Sequence, residues 1–488
     1  MKSMRSFATL AAVLAAIPVQ AAITFTGAFS VAGETTDLSG VSAAQGGNRL
    51  SFGSDLFYDR NTDLFYGITD RGPGGGVVDY APRVNIFKLD TNTTTNAING
   101  FVLQNTILFK TDGQVFSGLN PSLLNGDSSV LGRSFDPEGF VRLANGHFLV
   151  SDEYGPSVYE FDAAGNQLRA FTTPANLVPK AGGTTDYVSG RPTITSGRQD
   201  NRGFEGLTVS ADGTKAYAIM QDPLVNEGAS NDGRRSRNLR IVEFDVASGT
   251  STKQFIYQLE SVSDINGRIP GTSSDFGATN QGRSIGVSSI TALADGSFLV
   301  IERDNRGLGV DDPTGTGSIG TKRVYRITLD GATDALSVSL AGSNSLPSGV
   351  VAVGKTLYLD VQASLVAAGF NTVEKIEGLS FGRNLDGALS LFLVSDNDFS
   401  VTQTGTFGAQ SDVCTTGVGG VTSQTAIGAG CPAGQFLLPS MIYGFRVDGI
   451  DAKGVLPVPE ASTWAMLVAG FGIAGAGLRR RRRAVVTA

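Results

Sequence analysis

The sequence predicts an all-β fold, a β-propeller built from four-stranded antiparallel blades. Three observations carry that expectation. Residues 22 to 457 show little helical periodicity, while β-branched and aromatic residues recur in short runs within a glycine-rich, weakly charged chain. Tight turn signals join these runs, among them Asn145-Gly146, Asp212-Gly213 and Asp295-Gly296. The strand–turn–strand unit also repeats along the chain. A lone sheet of this kind cannot bury both faces, and radial stacking of several such sheets does so.

The repeats can be taken in order. The first places strands at residues 56–58, 64–69 and 84–89, with a turn at Asn61-Thr62. The second is complete, with strands at 138–143, 147–153, 158–162 and 167–172. The third has strands at 205–209, 216–220, 240–245 and 253–259, and the fourth at 290–293, 298–301, 324–329 and 335–340. The fifth shows 377–381, 391–395 and 442–447 but no fourth strand. The run at residues 23–31 is therefore expected to complete that blade and close the ring. Five copies are legible. The markers Asp70, Asp152, Gln221, Glu302 and Asp396 are spaced 82, 69, 81 and 94 residues apart. These gaps exceed a typical blade, so long loops or a sixth blade are expected, with residues 356–361 as one of its strands.

Both ends of the chain read as targeting segments around a body of residues 22–457. Lys2 and Arg5, an apolar run at 7–17, and small residues at Val19 and Ala21 form a signal peptide, with cleavage expected after Ala21. Residues 463–478 are apolar and rich in Gly and Ala, and Arg479 to Arg483 follow at once. Upstream lies Val458-Pro459-Glu460-Ala461-Ser462-Thr463-Trp464. This 458–488 tail resembles the PEP-CTERM protein-sorting tail, although Ala461 stands where that motif has its second proline. The resemblance implies an exosortase and the secretion machinery as partners. It also implies transient inner-membrane anchoring through the C-terminal helix, and a destination in the periplasm, at the cell surface or outside the cell. A plain membrane anchor is the alternative.

Removing both tails uncovers the character of the body. The whole chain has 38 basic and 45 acidic residues, and the body keeps 31 and 44, a net charge of −13. Such a surface excludes nucleic acid as a partner, because that needs clustered Lys and Arg. The two cysteines, Cys414 and Cys431, lie in a Gly/Thr/Ser-rich stretch and are expected to form a disulfide in an oxidising compartment.

The acidic residues are not scattered. Each second strand ends in a polar pair: Asp70-Arg71, Asp152-Glu153, Gln221-Asp222, Glu302-Arg303 and Asp396-Asn397. Three first strands open with Glu138, Glu205 and Glu377. Antiparallel pairing sets the start of the first strand beside the end of the second, so both sets converge at one end of the central channel. Converging carboxylates suit calcium, which takes six to eight oxygen ligands. The expected ligands are Asp70, Glu138, Asp152, Glu205, Glu377 and Asp396. Asp152, Glu153 and Glu205 are the catalytic candidates, and Arg71, Arg202 and Arg303 the candidates for gripping phosphate. A structural role for the Glu-Gly pairs, tying inner strands together, is the competing expectation. Other chemistries lack parts. His147 is the sole histidine and flanks a turn, and the chain has no Gly-X-Ser-X-Gly elbow. The glycine-rich 72–76 segment lacks the P-loop lysine. The loop at 304–316 carries no nameable motif.

Three segments carry a family resemblance: Phe135-Asp136-Pro137-Glu138-Gly139, Ser151-Asp152-Glu153-Tyr154-Gly155-Pro156 and Asn201-Arg202-Gly203-Phe204-Glu205-Gly206-Leu207. They resemble the hallmarks of the phytase-like propellers, also described as "esterase-like activity of phytase". The resemblance spans roughly residues 45–450 and implies a relative of calcium-dependent alkaline phytases. The function expected is a calcium-dependent hydrolase of small phosphorylated or ester substrates. The rivals are a non-catalytic propeller binding the cell surface or an extracellular polymer, and a lactonase or other calcium-dependent esterase.

Overall fold

The computed structural model describes residues 23–403 and 410–448. Both tails lie outside the described residues, as does the expected cleavage point. Five four-stranded antiparallel sheets surround a common axis. Blade I comprises Asp55–Asp59, Leu64–Ile68, Arg83–Thr91 and Ile98–Leu108. Blade II comprises Pro137–Arg142, Phe148–Asp152, Ser157–Phe161 and Gln167–Ala170. Blade III follows with Phe204–Val209, Lys215–Met220, Asn238–Asp245 and Thr250–Gln258. Blade IV uses Ile285–Ala292, Phe298–Asp304, Lys322–Thr328 and Gly354–Asp360. Blade V has Lys375–Leu385 and Ala388–Asp396 as its inner strands and Ser440–Asp448 as its third.

The turn chemistry explains the repeat. Asn145, Asp212 and Asp295 each accept, through a side-chain oxygen, the backbone N–H two residues on. The glycine between adopts a positive φ, +89° at Gly146 and +71° at Gly213, where a side chain would be strained. Buried apolar residues alternate along the strands and interdigitate between neighbouring blades. Leu149, Leu207 and Val242 share one such layer, and Val300, Ile219 and Ile241 another.

The expected ring closure is present. Ile23–Val31 runs antiparallel to Ser440–Asp448 and supplies the fourth strand of blade V. Phe25 packs against Phe445 and Phe370, at ring distances of 5.4 and 5.1 Å. Among the described residues the expected sixth blade is not formed. The inner strands of blades IV and V touch directly, as do those of V and I. Gly354–Asp360 pairs with Lys322–Thr328 as the fourth strand of blade IV. The segment expected in that role, residues 335–340, is instead a loop whose Ala335 and Leu340 pack on Ile256 of blade III. Its apolar residues imitate a strand, but only Ala335 N–H bonds the neighbouring strand, at Gln254 O.

Blade V carries a long insertion between its second and third strands. Val401–Gln403, Gln410–Thr415, Thr422–Ala426 and Phe436–Leu437 form a small sheet there, and a disulfide joins Cys414 to Cys431. Arg49 ties the insertion to the chain's start by a two-pronged bond to Asp412, at 2.6 and 2.7 Å. Among the described residues no helix is long and apolar enough to cross a membrane.

Candidate functional site

Four inner strands share a β-bulge at one end of the axis. Pairing slips between Pro137 and Gly139, Phe204 and Gly206, Val287 and Ser289, and Ile376 and Gly378. The extra residue is Glu138, Glu205, Ser288 or Glu377. A bulge re-aims its unpaired residue out of the ladder, and the three glutamates line one cavity of about 550 Å³. The glycines behind them have a separate role. A Cβ on Gly139 would sit 2.4 Å from Leu207 N, and one on Gly206 would sit 2.7 Å from Ile290 N. Each Glu-Gly pair thus divides the two expectations: the glycine permits close packing of inner strands, and the glutamate faces the mouth.

The second strands correct the sequence register by one residue. Asp152 pairs with Pro137 and Glu302 with Val287, whereas in blade V Ser395 holds that place. The residues that follow are Glu153, Arg303 and Asp396, and Glu153 and Arg303 line the cavity with Asp70 and Gln221. A shift of one residue turns a strand side chain to the opposite face. Asp152 accordingly faces its own loop, accepting N–H bonds from Asp136, Tyr154 and Gly155 at 3.0–3.2 Å. Glu302 is taken up by the Tyr257 hydroxyl, Glu260 N–H and Lys355.

The remaining acids form a chain of close groups. Glu138, Glu153 and Glu205 bring one oxygen each within 4.8 Å of one another; so do Asp70, Asp136 and Glu138, and Asp70, Asp396 and Asp398. Two buried oxygens in the first group, Glu153 Oε1 and Glu205 Oε2, accept no hydrogen bond. Sequence reasoning missed Asp136 and Asp398. Asp136 was signalled by its place two residues before Glu138. Asp398 had no signal, since the insertion's tight turn brings it back to the mouth.

Cations are threaded between the acids. Arg303 donates to Glu377 and to Ser288 Oγ, and lies 3.8 Å from Glu205. Arg71 lies 3.2 Å from Asp136 and also donates to Asn201. Arg202 lies 3.4 Å from Asp222 and donates to Gln221. Lys375 bridges Asp396 and Asp398 at 3.1 and 2.5 Å. Arg71 and Arg202 keep 18% and 23% of their side-chain surface open, whereas Arg303 keeps 9%. His147 lies away from this mouth, where its Nδ1 meets Glu160 at 2.7 Å.

Burial dominates the protonation of these acids. It pushes Glu138 well above the usual carboxylate range, with the charges of Glu205 and Asp136 adding to the effect. Glu153 rises by burial and then by Glu205, and Asp70 by burial and then by Asp396. Glu205 is pushed up to about 8, by burial and then Glu377. Asp396 reaches about 6, burial outweighing Lys375, and Glu374 reaches about 7 by burial and then Asp398. Such crowding holds protons unless cations replace them.

A family model described as "Phytase-like: Esterase-like activity of phytase" matches residues 49–399. The chain belongs to the phytase-like family. The match covers four whole blades and the inner half of blade V; the ring-closing strand and its partner lie outside it. A model described as the PEP-CTERM protein-sorting motif matches residues 457–483, so this phytase-like chain is an exported protein with a sorting tail. An uncharacterized secreted protein from Arthroderma benhamiae is 32% identical over 218 residues, 41% of this chain and 39% of that protein's length. The calcium-binding protein regucalcin from Agrobacterium tumefaciens is 11% identical, covering 75% of this chain and 84% of its own, with a TM-score of 0.30. Virginiamycin B lyase from Staphylococcus aureus is 8% identical, covering 87% and 99%, also with a TM-score of 0.30.

Proposed function

We propose that the polar mouth of this phytase-like propeller is a calcium-dependent hydrolytic site for phosphate esters. The observation that carries this reading is the pair of buried oxygens, Glu153 Oε1 and Glu205 Oε2, that accept no hydrogen bond inside a cluster of three glutamates. Buried ionised oxygens are costly without a partner, and an oxygen-loving divalent cation is the partner that fits. Every candidate donor is a carboxylate, which suits calcium rather than zinc. Glu138, Glu153 and Glu205 would hold the ion, and the groups around Asp70 would hold a second. Asp152 is left out because its oxygens serve the backbone, and Glu377 because it is engaged by Arg303.

Bound calcium would neutralise phosphate charge and lower the pKa of water. The chain supplies the rest. Arg71 and Arg202, partly open to the cavity, would orient phosphate oxygens through their forked donors. Glu374, held near 7 by burial, can retain a proton at neutral pH and give it to the departing alkoxide. The water oxygen bonds to phosphorus as the ester P–O bond breaks, and the proton of the water leaves to solvent. Residues 463–478 would hold the precursor at the inner membrane before an exosortase processes it.

The test is turnover of phytate, simple phosphoesters and carboxylic esters by residues 22–488, with calcium and with chelator. Calcium-dependent phosphate release that Glu153→Gln and Glu205→Gln abolish is the expected result. No calcium-dependent turnover would overturn the enzyme reading. One observation favours a non-catalytic rival, a surface or matrix-binding propeller. Arg71, Arg202 and Arg303 are already matched to Asp136, Asp222 and Glu377. That rival gains if calcium stabilises the fold without any turnover.

A further inference from the structure

The opposite end of the axis holds a second cavity, and its chemistry is the reverse of the first. It measures about 480 Å³. Leu56, Phe140, Leu207, Ile290 and Leu379, one from each blade, form its inner wall, and Phe381 stands above them. Asp55 separates this well from the polar mouth. It occupies the position that is Gly139, Gly206 and Gly378 in three other blades. Its carboxylate accepts the Phe140 N–H of the adjacent blade II at 2.8 Å and lies 3.4 Å from Ser289 Oγ of blade IV, which is not adjacent. Asp55 thus stands between the apolar well and the polar mouth, lining the first and absent from the lining of the second.

Strand direction decides what leaves the molecule beside it. The second strand of blade V ends at the polar mouth, so its antiparallel third strand runs back to the apolar end. Asp448 pairs with Ala388, which pairs with Leu385, four residues past the well-lining Phe381. The tail therefore departs from the rim of the apolar well. It departs two strand spacings, or roughly 10 Å, from the innermost strand. Fourteen residues, 449–462, precede the apolar segment 463–478. Extended, they reach up to about 50 Å, several times the distance needed. Trp464, the second residue of that segment, is the only tryptophan of the chain. Tryptophan is a residue type that anchors itself in enclosed apolar pockets.

We propose that this well docks the chain's own apolar tail segment, with Trp464 as the inserted side chain, whenever the tail is not in a membrane. Sixteen largely apolar residues on a short tether are otherwise exposed to water, and an apolar well of fitting character lies within their reach. Docking would shield the segment from aggregation and from the sorting enzyme until a bilayer competes for it.

Trp464 fluorescence reads the docking directly, because no other tryptophan contributes. Residues 22–488 in detergent-free buffer should show blue-shifted emission protected from acrylamide. Val209→Asp and Ala292→Asp place charge on partly open walls of the well and should return the emission to the red, with melting checked to confirm folding. As an independent arm, N-phenyl-1-naphthylamine should bind residues 22–457 and be excluded from 22–488. Solvent-like Trp464 emission, equal dye binding by both chains, or blue emission that survives both wall variants would overturn the proposal. So would protection that appears only as light scattering reports dimers, because a second copy would then be the occupant. Transfer to vesicles should release the well for the dye.

Discussion

Arg303 of blade IV bonds Glu377 of the adjacent blade V while lying 3.8 Å from Glu205 of blade III. One buried guanidinium thus balances carboxylates from the blades on either side of its own. Removing one partner of a buried ionic group leaves uncompensated charge, at a cost of about 3–5 kcal/mol. Arg303→Met is expected to lower the melting temperature by an amount in keeping with that cost. The loss should shrink at acidic pH, where Glu205, pushed up to about 8 by burial and then by Glu377, takes up a proton. Thermal melts at pH 5 and pH 8 check this, and an equal loss at both would refute it.

The pH dependence of the calcium-free chain follows from the same acids. Glu205 at about 8 and Asp396 at about 6 lie above the value of about 4 expected when unfolded. Between those limits the folded state binds protons more tightly than the unfolded one. Stability is therefore greatest below the window and falls as pH rises through 6 and then 8. Calcium competes for the same oxygens, so its stabilisation should grow over that interval. Melting temperatures with calcium and with chelator at pH 5, 7 and 9 should diverge progressively. A constant gap would exclude the carboxylate cluster as the binding site.

Deleting residues 23–31 removes a whole outer strand and frees one edge of Ser440–Asp448, which keeps its pairing with Ala388–Asp396. Phe445 also loses its contact with Phe25. The truncated chain is expected to lose its single cooperative transition, observed by calorimetry, because ring closure holds the last blade to the first. An unchanged transition would show that the hydrogen bonds of blade V do not need the N-terminal strand.

The disulfide should act locally. Cys414 and Cys431 are 17 residues apart and lie in the insertion, outside all five blades. A loop of that size is worth at most about 3 kcal/mol. Replacing both cysteines by serine should raise amide exchange across residues 410–437 while blades I to IV keep their protection. Uniform loss of protection across the blades would mean that the insertion, through Arg49 and Asp412, supports the whole ring.

Much of the architecture was legible because a propeller writes its period into the chain. Turn chemistry at Asn145-Gly146, Asp212-Gly213 and Asp295-Gly296 marked the blades. The lack of a fourth strand after residue 447 pointed to residues 23–31. The fourth strand of blade IV was misplaced because residues 335–340 are apolar for a different reason: they cover Ile256. At the site, Glu138, Glu205 and Glu377 could be read from the repeated Glu-Gly. That Asp152 turns to its own loop is not legible in the sequence, because the bulge that presents Glu138 also shifts the pairing of the second strand, and such a slip leaves no mark in composition.

By itself the sequence determined the repeat, the ring-closing strand, the disulfide pair and the convergence of acidic residues on one end of the axis. These depend on local turn chemistry and on antiparallel pairing, which act between neighbours in the chain. Only the tertiary structure decided the number of blades, which carboxylates share the mouth, and that Asp55 divides the channel into a polar and an apolar well. Those outcomes depend on contacts between blades, where a one-residue bulge selects the face and packing around the axis leaves room for a side chain at one position and none at the others.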